Sequence, residues 1–69
     1  MEQLNESFIC PIGFMVMTDP VVAEDGQTYE RAQIQKWFER SNKSPKCGKD
    51  IGFNLRTNWL VRSLIEELR

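Results

Sequence analysis

The chain has 69 residues, 41% of them hydrophobic and 28% charged, with nine basic side chains against ten acidic ones. That length makes one small domain, and a formal charge of −1 advertises no phosphate-binding surface, which argues against a nucleic-acid partner. No apolar run approaches the roughly 18 residues of a membrane span, and the opening Met1-Glu2-Gln3-Leu4-Asn5-Glu6 lacks the basic-then-apolar order of a secretory signal. The expected setting is therefore a reducing compartment, cytoplasm or nucleus (the host cytosol, were this a bacterial effector).

Residues 1–7 are polar and read as a frayed arm ahead of a domain over 8–69, with Leu4 and Phe8 tucking onto it. From Phe8 to Asp19 the chain is apolar and nearly uncharged, but Pro11 and Gly13 forbid a regular helix there, so a loop carrying apolar side chains is expected. Asp19-Pro20 starts an extended segment. Val21-Val22, the turn residues Glu24-Asp25-Gly26-Gln27 and Thr28-Tyr29 predict a short hairpin.

Glu30 to Arg40 reads as a helix with Ile34, Trp37 and Phe38 at three-to-four spacing, joined by Ala32 or Arg31 and capped by Thr28 or Glu30. Ser41-Asn42-Lys43-Ser44-Pro45 stops it. Residues 46–56 form a second loop, with Gly48 and Gly52 as turn points and Ile51, Phe53 and Leu55 as anchors. Thr57 or Asn58 then caps a C-terminal helix whose apolar stripe is Val61, Leu64, Ile65 and Leu68. No internal repeat is visible. The fold class expected is α+β, with two apolar loops bracketing a hairpin and helix.

Side-chain catalysis finds little support. No histidine is present to act as a base near neutral pH. Cys10 and Cys47 allow one disulfide at most, where secreted domains of this size carry more; two small buried thiols are the expectation. A Cys47 nucleophile activated by Lys46 and Lys49 is the disfavoured reading. What stands out is apolar residues where loops should be polar: Ile12 and Phe14 on the first loop, Pro45 on the second and Trp37 on the helix between. All four fit a core reading, but on loops such a cluster reads better as an anchor patch for another protein.

Two half-knuckles, Cys10-Pro11-Ile12-Gly13 and Ser44-Pro45-Lys46-Cys47, each hold one cysteine where a paired zinc knuckle has two. Together with Asp19-Pro20-Val21, Gly26-Gln27-Thr28-Tyr29-Glu30-Arg31, Ile34 with Trp37, and Asn58 ahead of Val61, Leu64 and Ile65, they form an ordered set from Phe8 to Leu68. That set resembles a U-box, the zinc-free relative of the RING finger.

The resemblance implies a cross-brace fold with two loops, a short hairpin, a central helix and a C-terminal helix, holding no metal and needing no cofactor. Laid over the RING ligand order, one site falls on Cys10, Gly13, Glu30 and Gln33 and the other on Asp25, Gln27, Ser44 and Cys47. In place of zinc, Asp25, Gln27, Glu30, Ser44 and Asn58, with nearby lysines and backbone amides, are expected to form a hydrogen-bonded network. Helix capping and turn formation are the plain roles of Asp25 and Glu30, and both can hold at once. A structural zinc contributes roughly 10–16 kcal/mol and one hydrogen bond about 1, so several contacts must replace it.

By the same resemblance the chain is a ubiquitin-ligase (E3) module that binds a ubiquitin-charged E2 enzyme and promotes transfer to a substrate lysine without a covalent intermediate. Ile12, Phe14, Trp37 and Pro45 would contact the E2; Lys46, Cys47 and Lys49 would lie near ubiquitin or the E2; the substrate would be held by regions outside this chain. Gly48 stands where RING-type ligases often carry a basic residue to grip ubiquitin, and Thr57 where a proline usually precedes the Asn. Two other classes compete: a U-box-like interaction or dimerisation module without ligase activity, and a degenerate zinc site using Cys10, Cys47 and carboxylates.

Overall fold

Pro20–Val22 (β1) and Thr28–Glu30 (β2) pair antiparallel in the register Pro20↔Glu30, Val21↔Tyr29 and Val22↔Thr28. The turn between them is closed by Ala23, whose N–H donates to Gln27 and whose carbonyl accepts from Gly26. A third strand, Arg56–Thr57 (β3), adds to the other side of β1, so the sheet order is β2-β1-β3. A computed structural model describes residues 6–68. It opens with a 3-10 turn at Glu6–Phe8, and the expected placing of Leu4 lies outside the described residues.

The central helix, Arg31–Phe38 (α1), follows β2 without a linker and is shorter at both ends than the sequence predicts. Glu30 is its N-cap by backbone position, yet its carboxylate makes no capping bond because it is committed elsewhere. The C-terminal helix, Trp59–Glu67 (α2), is capped by Asn58, whose Oδ1 accepts from the Val61 N–H at 3.1 Å. Of the two expected caps, Asn58 takes the role and Thr57 becomes a strand residue.

Phe8, Cys10, Met17, Val21, Ala23, Tyr29, Ile34 and Ile65 form the buried core, drawn from the 3-10 turn, β1, β2, both helices and the loops between them, with none from β3. The expected stripe on α2 is only half used. Ile65 is buried and Val61 packs against the core, whereas Leu64 and Leu68 are exposed with Trp59 and Leu60. In the second loop Ile51 and Leu55 pack inward, while Phe53 stays mostly exposed and meets Phe38 edge-on at 4.9 Å between ring centroids. Among the described residues no helix is long and apolar enough to cross a membrane.

Candidate functional site: a groove on two matched turns

The two half-knuckles fold into the same turn. In the first, Phe14 N–H donates to the Cys10 carbonyl (2.8 Å) and Cys10 N–H to Met15 (2.9 Å). In the second, Gly48 N–H donates to the Ser44 carbonyl (2.9 Å) and Ser44 N–H to Lys49 (2.7 Å). Isolated bridges close both, Ile9↔Val16 and Lys43↔Asp50, followed by Met17 N–H to Phe8 and Ile51 N–H to Asn42. Each contact recurs at a fixed offset along the chain, although Pro11 and Pro45 are nearly all the two sequences share. Both turns need a left-handed residue at their fifth position. Gly48 (φ 77°) supplies it freely; Phe14 (φ 58°) supplies it at a steric cost.

Carboxylates brace these turns where the RING order would put metal ligands. Asp25 Oδ2 accepts from the Tyr29 hydroxyl and from Ser44 Oγ, both at 2.6 Å, and Oδ1 accepts from the Gln27 N–H at 2.9 Å. Ser44 Oγ in turn accepts from the N–H groups of Lys46 and Cys47, each at 3.0 Å, so one buried hydroxyl links Asp25 to the second turn. Burial pushes the Asp25 pKa upward, but the donors Ser44, Tyr29 and Gln27 outweigh it, leaving the carboxyl below its ordinary range. Burial and then the Asp25 carboxylate push Tyr29 well above the usual phenol range.

The first turn is braced separately. Cys10 is buried, and its Sγ accepts from the Glu30 N–H at 3.3 Å. Glu30 Oε1 accepts from the N–H groups of Thr18 (2.7 Å) and Asp19 (3.4 Å), and Oε2 from the Thr18 hydroxyl, fastening the loop's exit to the start of α1. Asn58 forms a third cluster, donating from Nδ2 to Thr28 Oγ1 (2.9 Å) and from its N–H to the Pro20 carbonyl (2.8 Å). The brace is thus three local clusters, not one continuous network. Gln27 joins only through its backbone; its side chain is exposed and makes no hydrogen bond among the described residues. Among the described residues no lysine side chain joins these clusters; Lys46 contributes its amide alone.

Two contributors escape a reading of the sequence. Tyr29, expected only as a strand residue, brings its hydroxyl to Asp25. Glu24, expected only in a turn, reaches across to the second loop and accepts from the N–H groups of Gly52 and Asn54, each at 3.2 Å. Its carboxylate fills the space a side chain at position 52 would need. Among the described residues no three of His, Cys, Asp and Glu converge on one point. The donors fit hydrogen bonds better than zinc: Gly13 brings no ligand atom, and Cys10 and Cys47 belong to different turns.

The anchor residues fall into two hollows. Ile12 and Trp37 share one with Gln33, Lys36 and Arg40. Phe14 and Pro45 share another with Ile9, Cys10, Pro11 and Lys46. Ile12 and Trp37 are half-buried and also touch the core, whereas Phe14 is 77% exposed. Trp37 also ties α1 to the second turn, since its Nε1–H donates to the Lys43 carbonyl at 2.6 Å. Met15, next to Phe14 in the chain and 71% exposed, lines a separate hollow with Val16, Thr18 and Gln33 and is not among the expected anchors.

Both cysteines are free thiols. Cys10 is buried as expected, but Cys47 is exposed because the second turn directs it away from the core, a correction to the sequence reading. The hydrogen bond with Ser44, then the Lys49 amide, lowers its thiol pKa. Lys46 and Lys49 are exposed on the same turn, and their ammonium groups make no ion pair among the described residues.

Comparison with known proteins agrees with this geometry. The profile of the U-box domain matches residues 4–52. A probable bifunctional E2/E3 enzyme of Acanthamoeba polyphaga mimivirus is 42% identical over 66 residues, covering 96% of this chain and 5% of that protein. U-box domain-containing protein 10 of Arabidopsis thaliana is 44% identical over 93% of the chain and 10% of its own length. U-box domain-containing protein 12 of Oryza sativa subsp. japonica is 41% identical over 93% of the chain and 11% of its own length. The chain therefore spans about a tenth or less of the curated relatives it matches. With matched turns, carboxylate braces in the ligand positions and these relatives, the chain belongs to the U-box family.

Proposed function

We propose that this domain is the E2-binding module of a ubiquitin ligase, acting on a ubiquitin-charged E2 and on a substrate held by regions outside this chain. The observation that carries the reading is the apolar pair Ile12 and Trp37 sharing one hollow, with Phe14 and Pro45 sharing another. The name of the mimivirus relative, which joins E2 and E3 in one enzyme, supports it. In the reaction a substrate lysine amine attacks the E2–ubiquitin thioester carbonyl, the C–S bond breaks, and the E2 thiolate leaves as the isopeptide forms. The domain carries no ubiquitin itself; it restrains the E2 and the thioester in reactive geometry. With Gly48 holding the left-handed position, Lys46 and Lys49 are the cations left to face ubiquitin. The free thiols suit a reducing setting, cytoplasm or nucleus.

Ile12→Ala tests the reading through lysine discharge of a ubiquitin-charged E2. The expected result is near-complete loss of stimulated discharge with an unchanged circular dichroism spectrum. Wild-type discharge by a folded variant would refute the groove assignment.

One observation favours a second reading, a pairing module without ligase activity. Leu60, Leu64 and Leu68 lie exposed at four-residue spacing along α2. Light scattering of wild type and Leu64→Glu separates the readings: a dimer lost in the variant, with no discharge by either protein, would favour pairing alone.

A further inference from the structure

The groove face is basic although the chain as a whole is not. Of the acids whose side chains are described, six are paired within the chain: Asp19 by Arg31, Asp50 by Lys43 and Glu66 by Arg62, with Glu24, Asp25 and Glu30 held by amides and hydroxyls, which leaves Glu39 and Glu67 exposed. The carboxylates that brace the turns are consumed in doing so. Lys36 and Arg40, by contrast, make no ion pair or hydrogen bond through their side chains among the described residues. With Gln33 and Trp37 they line one hollow, Lys36 from the last turn of α1 and Arg40 from the turn just after it. Lys46 is the charged residue of the hollow that holds Phe14 and Pro45, and among the described residues no acid lines either hollow.

Resting on the E2-binding reading, we infer that this groove selects E2 enzymes whose docking loops carry carboxylates around an apolar anchor. The apolar pair supplies the seat, and Lys36, Arg40 and Lys46 supply the sign of the charge around it. Rim charges of this kind govern the choice of partner and the association rate more than they govern total affinity. The effect falls with added salt, because exposed charges are screened over about 8–10 Å at physiological ionic strength.

The test measures dissociation constants for a panel of E2 enzymes chosen to differ in the charge of their docking loops, at about 50 and about 200 mM NaCl, a range over which screening changes appreciably. Wild type is compared with Ile12→Ala, with Lys36→Glu/Arg40→Glu and with the neutral Lys36→Gln/Arg40→Gln. We expect acidic-loop enzymes to bind about tenfold more tightly than basic-loop ones at low salt. The Gln pair should flatten that order, the Glu pair should invert it, and the higher salt should compress it. The Gln pair also guards against a folding defect in the Glu pair, since Lys36 sits favourably in the last turn of α1. Binding that is lost in Ile12→Ala but keeps the same order in both charge variants would overturn the charge inference and leave the E2 reading standing. No binding by any E2 would overturn both. A labelled oligonucleotide that displaced a bound E2 from Lys36 and Arg40 would overturn the choice of partner class.

Discussion

Replacing Asp25 by alanine removes the acceptor on which the second turn depends. Three donors lose their partner: the Tyr29 hydroxyl, Ser44 Oγ and the Gln27 amide. Tyr29 and Ser44 are buried, so water does not readily replace the carboxylate. A hydrogen bond to a charged group nets about 1.5–3 kcal/mol, and a stranded buried donor costs about 1–3. Losing both buried contacts should therefore cost roughly 3–5 kcal/mol, comparable with the ~3–5 kcal/mol that a core of this size supplies. Asp25→Ala should be largely unfolded at room temperature. Tyr29→Phe removes one donor and leaves Asp25 bonded to Ser44 and Gln27, so about 1–2 kcal/mol is expected. Urea unfolding followed by circular dichroism gives both values. A folded Asp25→Ala within about 1 kcal/mol of wild type would refute the claim that this carboxylate replaces a metal ligand. The pH dependence follows from the same contacts. Asp25 is depressed in the folded state, so its contribution is complete above the ordinary carboxylate pKa of about 3.9 and is lost as pH falls through the lower folded value. The acid limb of the stability profile should flatten in Asp25→Asn.

Three further outcomes follow from the turns and caps. Phe14→Gly relieves a left-handed backbone but loosens the unfolded chain, so the two effects nearly cancel and stability should stay within about 1 kcal/mol of wild type while E2 affinity drops. Gly48→Ala meets open space but places a Cβ at positive φ, and a loss of about 1–2 kcal/mol should appear in the same urea assay. Asn58→Ala removes the α2 cap and the Thr28 contact; about 1–2 kcal/mol of destabilisation is expected, with a reduced helical signal in the far-ultraviolet circular dichroism.

Much of the frame is legible in the sequence because each element carries local signals. The alternation around Val21 and Tyr29, the helical spacing of Ile34 and Trp37 and the Asn58 cap each point to one local structure. β3 escapes such a reading because Arg56 and Thr57 are polar and too few to show a period; β1 supplies the pairing, and the Arg31 side chain secures it by donating to Thr57 Oγ1. The matched turns are hidden for another reason. Gly13 looks like the natural left-handed residue, but the turn places that conformation on Phe14 and leaves Gly13 against the Gln33 side chain. The reach of Glu24 and the Tyr29 hydroxyl depends on tertiary placement, which no local pattern reports. Cys47 misleads because a small thiol reads as a core residue until the turn directs it outward. Ile12, Phe14 and Pro45 stand out in the sequence as apolar residues on loops and Trp37 as one on the helix, but their division between two hollows leaves no local signal.

The most direct measurement of the central claim is an NMR titration of isotope-labelled domain with a panel of E2 enzymes. Shifts concentrated at residues 12–14, 37 and 45–47 are expected, with α2 undisturbed. No shift with any E2, or shifts confined to the α2 face of Leu60, Leu64 and Leu68, would contradict it.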